Sequence, residues 1–310
     1  MRAISQRTFG GPEVLEVIET DRPEPGPGEV LVRVHAAGVN PADWKRSSGQ
    51  VPQLGQPPFT LGLDLAGTVE AAGDQATRFQ VGERVYGAVL PPRGAYAEYV
   101  TAPQDWLAPT PAGLDHVSAA ALPTAVLTAW QALAGVADVQ AGQRVLIHAA
   151  AGGVGHLAVQ IAKARGAHII ATARAGKHAF LRDLGAEEVI DYTTTDFAAQ
   201  LRDVDVVLDL VGGDYGPRSL NTLTAGGILF DVSGTGADAS VEEQAAARGV
   251  RYVPFTFTPS GTDLDQVDRL VDSGALRVSV GQTLPLDDAA KAHKLSLTGR
   301  VTGKIVLTLE

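Results

Sequence analysis

At 310 residues, with 45% hydrophobic and 19% charged side chains, the chain is long enough for two globular domains that need neither disulfides nor metals to fold. Its formal net charge of −10, with no basic run, argues against nucleic-acid partners. The absence of cysteine excludes disulfides, thiol nucleophiles and cysteine-ligated metal sites.

MRAISQRTFG, at the N-terminus, lacks the apolar core of a signal peptide, and no run reaches the ~18 apolar residues of a membrane span, so a cytoplasmic protein is expected. The first third reads as strands and turns. Residues 30–34 and 68–72 are rich in β-branched side chains, and DRPEPGPGE (21–29) is a Pro/Gly connector. SAAALPTAVLTAWQAL (118–133) predicts one long helix with Pro123 near its first turn. Strand and helix patterns then alternate: strand RVLIHAA (144–150), helix VGHLAVQIAKARGA (154–167), strand HIIATA (168–173), helix HAFLRDLGA (178–186). Four more strands follow in EEVIDY (187–192), DVVLDLV (205–211), GGILFDVS (226–233) and RYVPF (251–255), and helix DLDQVDRLVDSGAL (263–276) closes the unit. This alternation predicts an α/β fold with a doubly wound parallel sheet. From about residue 277 the pattern returns to short strands around one helix, ending in GKIVLTLE (303–310). That tail is too small to fold alone, so residues 1–120 and 277–310 are expected to form one β-rich domain, with 121–276 inserted as a nucleotide-binding domain.

The chemistry is concentrated in RVLIHAAAGGVGHLAVQ (144–160), where a strand runs through a small-residue turn into a helix. Against the dinucleotide fingerprint G-x-G-x-x-G, Ala150 takes the first glycine position and Gly152 and Gly155 the second and third, with Gly153 and Val154 completing the turn. Gly152 lets a pyrophosphate approach the backbone, Gly155 lets helix pack on strand, and the helix's free N–H groups face the anion. An acid that would bind the ribose 2′-hydroxyl of NAD is missing after the second strand, where Ala173-Arg174-Ala175-Gly176-Lys177 stands instead. Arg174 and Lys177 suit a 2′-phosphate and point to NADPH; the alternative is a pair of solvated surface cations.

At these residues, and at AGVNPADWK (37–45), GLDLAGTVEAAG (62–73), RGAYAEYV (93–100), LPTAVLTAWQAL (122–133), PSGTDL (259–264) and GKIVLTLE, the chain resembles the zinc-free quinone oxidoreductase branch of the medium-chain dehydrogenase/reductase superfamily. The resemblance covers essentially the whole chain. It implies a GroES-like catalytic domain joined to a Rossmann NADPH-binding domain, with a small quinone or enone and a second copy of the chain as partners. Zinc relatives carry a cysteine ligand where this chain has Asn40, and their Gly-His-Glu is Gly62-Leu63-Asp64 here, so no zinc is expected. Without that Lewis acid a conjugated acceptor is favoured over a simple alcohol, because it delocalises incoming negative charge.

By resemblance, Asn40 lies at the substrate end of the nicotinamide, as a carbonyl donor or merely a turn cap. Lys45 falls where some relatives carry a tyrosine, as an oxyanion stabiliser or a surface charge. Thr128 would approach the nicotinamide, Tyr192 the 2′-phosphate, and Ser233, Phe255 and Phe257 would line the nicotinamide region. Tyr192 could equally be a core residue, and the two phenylalanines a subunit contact. His148 and His156 are expected to be structural. The expected function is NADPH-dependent hydride transfer to a quinone or α,β-unsaturated carbonyl. Its rivals are an enone or 2-alkenal double-bond reductase and a non-catalytic NADPH-binding protein.

Overall fold

The computed structural model describes residues 1–51, 55–234 and 238–309. The chain divides into two compact units, Met1–Leu127 with Thr258–Glu310, and Thr128–Phe257.

The first unit is largely antiparallel. Its long strand Glu29–Val39 pairs on one side with Asp64–Ala72 and on the other with the C-terminal strand Lys304–Thr308, so the chain's tail becomes an internal neighbour of its first third. The register sets Ile305 opposite Val39 and Gly38 opposite Asp64. Lys304, Asn40 and Asp64 are thereby gathered at one end of three adjacent strands. A smaller three-stranded sheet is centred on Arg2–Gln6. One apolar core, including Val32, Leu65, Val85, Tyr96, Leu107, Ile305 and Leu307, holds the N- and C-terminal parts together.

The second unit is a six-stranded, wholly parallel sheet. Its order is Glu188–Ile190, His168–Thr172, Arg144–Ile147, Val204–Asp209, Leu223–Asp231, Arg251–Pro254. In order of sequence within the unit this is 3-2-1-4-5-6, the doubly wound arrangement, with its switch point between Arg144–Ile147 and Val204–Asp209. These central strands are buried almost continuously, as parallel strands covered on both faces are.

Two expected helices differ. The stretch read as one helix at 118–133 is divided into His116–Ala120 and Pro123–Trp130, followed by a π-helical turn at Gln131–Val136. Pro123 has no N–H and cannot continue a preceding helix, so it opens a new one. The helix read at 263–276 is Gly261–Asp272 and belongs to the first unit, where the sequence reading put it in the second. There the Tyr86 hydroxyl donates to Asp268 at 2.5 Å, and Arg78 pairs with Asp265 at 2.8 Å.

Candidate active site

In the second unit the strand Arg144–Ile147 ends in a tight turn that opens helix Gly155–Ala164. Ala149 takes a left-handed conformation, φ +47°, directly before Ala150, whose N–H bonds to the Thr172 carbonyl of the next strand at 3.1 Å. The Gly152 N–H closes the turn on the Ala149 carbonyl at 2.9 Å. A Cβ on Gly155 would lie 2.6 Å from both the Ala149 oxygen and the Ala150 Cα, which are backbone atoms that cannot step aside, so only glycine fits. Gly152, Gly153 and Val154 remain partly exposed along the turn. A backbone cradle at a helix N-terminus is suited to a pyrophosphate, and these residues fit a dinucleotide.

Two buried histidines flank this turn in sequence. His156 Nδ1 lies 2.9 Å from the Gly152 carbonyl oxygen. His148 lies between Thr172 Oγ1 and Ser219 Oγ, each at 3.0 Å, against the rings of Phe197 and Tyr215. Burial pushes its imidazole down to about 3, so it is neutral at neutral pH. Both side chains are buried, with their hydrogen-bond partners within the second unit.

Arg174 and Tyr192 are brought together: Arg174 Nε donates to the Tyr192 hydroxyl at 3.1 Å, both being exposed. Lys177 ends the short turn Ala175–Lys177 and is half-buried. The nearby Asp191 carboxylate accepts from the Ala175 N–H at 3.0 Å and from Thr193 at 2.7 Å. Ser233 is buried, its N–H bonded to the Asp231 carboxylate at 2.9 Å. The Phe255 N–H bonds to the Asp231 carbonyl at 2.8 Å, with its ring set edge-on to Phe230. Phe257 is half-buried, and Thr128 is buried in helix Pro123–Trp130.

In the first unit, Asn40 is the N-cap of helix Pro41–Ser47 and is buried. Its Nδ2 donates to Asp64 Oδ2 at 2.9 Å, and its Oδ1 accepts from Lys304 Nζ at 2.6 Å. Lys304 also pairs with Asp64 Oδ2 at 3.1 Å, and the other oxygen, Asp64 Oδ1, accepts from the Thr124 N–H at 2.8 Å. That N–H lies in the first turn of helix Pro123–Trp130, where backbone donors have no acceptor within the helix. The side chains of Lys304 and Asp64 are 2% and 0% exposed, so each ion is held by its partner and not by water. Gly38 makes room: a Cβ there would lie 2.7 Å from Asp64 Oδ2. Beside this group, Asp43 Oδ2 accepts from the Asn40 backbone N–H at 2.8 Å and from the Tyr96 hydroxyl at 2.9 Å. Desolvation pushes the Asp43 carboxyl up to about 7 despite both hydrogen bonds.

Lys45 lies on the same short helix, half-buried, its ammonium 5.6 Å from the Trp44 ring centre, while Trp44 Nε1 donates to Ser296 Oγ at 3.2 Å. Sequence reasoning missed Lys304, Tyr96 and Thr124, although each stands in a motif it quoted. The one available signal was Lys304 itself, a charge opening the apolar run KIVLT.

The geometry accords with what the chain is similar to. Residues 26–112 match the alcohol dehydrogenase GroES-like domain family and residues 184–307 the zinc-binding dehydrogenase family. The quinone oxidoreductase of Pseudomonas aeruginosa is 36% identical, with 99% of each chain covered. The chain belongs to the quinone oxidoreductase branch of the medium-chain dehydrogenase/reductase superfamily. A 2-haloacrylate reductase from a Burkholderia species is also 36% identical, with 96% of each chain covered. Among solved structures, the quinone oxidoreductase of Coxiella burnetii matches with a TM-score of 0.94 at 38% identity, covering 100% of this chain and 99% of that one. The Escherichia coli quinone oxidoreductase complexed with NADPH matches with a TM-score of 0.91 at 31% identity, covering 100% of each.

Membership establishes this branch's GroES-like and nucleotide-binding domains, an oxidoreductase activity, a nicotinamide cofactor and a small-molecule substrate. The zinc in the name of one matching family does not suit these side chains. Among the described residues no three His, Cys, Asp or Glu are grouped to hold a metal, and the cation between Asn40 Oδ1 and Asp64 Oδ2 is the Lys304 ammonium. No helix among the described residues is long and apolar enough to cross a membrane.

Proposed function

We propose that this oxidoreductase uses NADPH to reduce a conjugated carbonyl, a quinone or an α,β-unsaturated ketone or aldehyde. The observation that carries the proposal is the Asn40–Asp64–Lys304 network, in which a buried amide and an ammonium stand where a Lewis acid would need metal ligands. Hydrogen-bond donors stabilise developing oxyanion charge less than a metal does, so the acceptor must itself delocalise the incoming electrons.

When bound, NADPH supplies the hydride. The turn at 150–155 and the first N–H groups of helix Gly155–Ala164 hold its pyrophosphate. Arg174, with Tyr192 and Lys177, receives the 2′-phosphate, and Arg174 already donates to the Tyr192 hydroxyl. Thr128, Ser233, Phe255 and Phe257 border the nicotinamide. Asn40 donates an Nδ2 hydrogen to the acceptor oxygen, and Lys45 supports the same oxyanion. We further propose a cytoplasmic homodimer in which a second copy extends the sheet at its edge strand Arg251–Pro254.

The Burkholderia relative, named for reduction of a 2-haloacrylate, favours a second reading in which the enone is the better substrate. Following NADPH absorbance with benzoquinone, phenanthrenequinone and a short enone, with NADH as control, separates the possibilities. Oxidation of NADPH by the quinones, with much slower use of NADH, supports the proposal. Reduction of the enone alone supports the second reading. Tight NADPH binding without turnover of any acceptor leaves a binding protein and removes the catalytic roles of Asn40 and Lys45.

A further inference from the structure

A side-chain amide has two nearly isosteric ends, and a site that needs a donor must stop it from presenting the acceptor. In this chain the two neighbours of the Asn40 amide carry opposite charge. The Lys304 ammonium lies 2.6 Å from Oδ1, and the Asp64 carboxylate lies 2.9 Å from Nδ2. Turning the amide over would set NH2 against ammonium and carbonyl against carboxylate, replacing two attractive contacts by two repulsive ones. The screening that weakens such contacts at a surface is absent, because Lys304 and Asp64 are almost wholly buried. With Oδ1 covered by Lys304 and one Nδ2 hydrogen given to Asp64, the second Nδ2 hydrogen meets no acceptor among the described residues.

We propose that Lys304 is a positioning residue that locks the Asn40 amide so that it offers the substrate only an N–H. The proposal rests on the reading of Asn40 as the donor to the acceptor oxygen. It assigns a role to the C-terminal strand, which reaches Asn40 through the pairing of Ile305 with Val39. A neutral residue at 304 that can still donate should preserve the lock in part, whereas an apolar residue of similar length should release it.

Removing Lys304 alone leaves Asp64 charged and buried, so the test is made in an Asp64→Asn background, where Asp64→Asn/Lys304→Gln and Asp64→Asn/Lys304→Met differ only in the donor facing Asn40 Oδ1. For each purified full-length protein, NADPH affinity, kcat and KM for benzoquinone or the enone, and the assigned Asn40 side-chain amide resonances are measured. The expected result is equal NADPH affinity, with kcat at least about tenfold lower in the Met variant than in the Gln variant and KM little changed. The amide should give one slowly exchanging set of signals with Gln and two sets, or an averaged one, with Met. Equal kcat and identical amide signals in the two variants overturn the inference. If the wild-type protein turns over no acceptor, the functional reading falls by itself, and the amide signals alone decide whether Lys304 holds Asn40.

Discussion

In the first unit the polar site is made of side chains, Asn40, Asp43, Asp64, Tyr96 and Lys304, drawn from distant segments and buried with their charges. In the second unit the dinucleotide turn at 149–155 is made of backbone, and its side chains matter chiefly by being small. The two therefore fail differently. A backbone cradle is spoiled by adding atoms, because carbonyls and Cα atoms cannot rotate away. A buried ionic network is spoiled by removing one partner, because the other is left charged in an apolar setting.

The largest effect is expected from the cradle. Gly155→Ala places a Cβ 2.6 Å from two backbone atoms, and NADPH affinity should fall on the order of 100-fold, or the second unit should lose its fold. Fluorescence titration with NADPH, checked by circular dichroism, reads this; unchanged affinity would break the account of the turn. Next comes the network. Lys304→Met alone should cost about 3–5 kcal/mol in urea unfolding, and adding Asp64→Asn should recover much of it. No recovery would mean that the ion pair is not what the lysine serves.

Smaller is the effect of Arg174→Ala, which should lower the preference for NADPH over NADH about tenfold, some 1.4 kcal/mol, by removing one charge-assisted contact. An unaltered ratio of kcat/KM values would return Arg174 to the solvated surface.

The subtlest test is pH, where two buried groups should act in opposite directions. Asp43 has its pKa raised by desolvation to about 7, so folding favours its neutral form. Its contribution to stability is complete below the ordinary carboxylate range and is lost as pH rises through 7. His148 has its pKa lowered by burial to about 3, so its contribution is complete above about pH 6.5 and is lost as pH falls toward 3. Thermal melting between pH 4 and 8 should show Asp43→Asn gaining on the wild type as pH rises, and His148→Gln gaining as pH falls. A constant offset for either variant would contradict the burial argument for that group.

The legibility of the two sites follows from how they are built. The turn at 149–155 was readable because strand, glycines and helix lie within a few consecutive residues, where backbone geometry is a local property. Arg174 was readable as a cation in place of an acid, but its contact with Tyr192 was not, since it joins the ends of two strands. Asn40 was legible only through resemblance. Its side-chain partners are Asp64 and Lys304, the latter 264 residues away along the chain. The helix Gly261–Asp272 was legible as a helix but not by its unit, because an amphipathic pattern says that a face is buried and not against what.

By itself the sequence determined the alternation of strands and helices, the glycine turn and the family, all of which rest on local periodicity and contiguous motifs. The tertiary structure decided that Lys304 is a buried cation and not a surface one, that Thr124 offers its N–H to Asp64, and that Asp43 and Tyr96 share a proton-bearing contact. The physical reason is that charge and protonation inside a protein depend on which groups long-range strand pairing brings within hydrogen-bonding distance, and on how much water that pairing excludes.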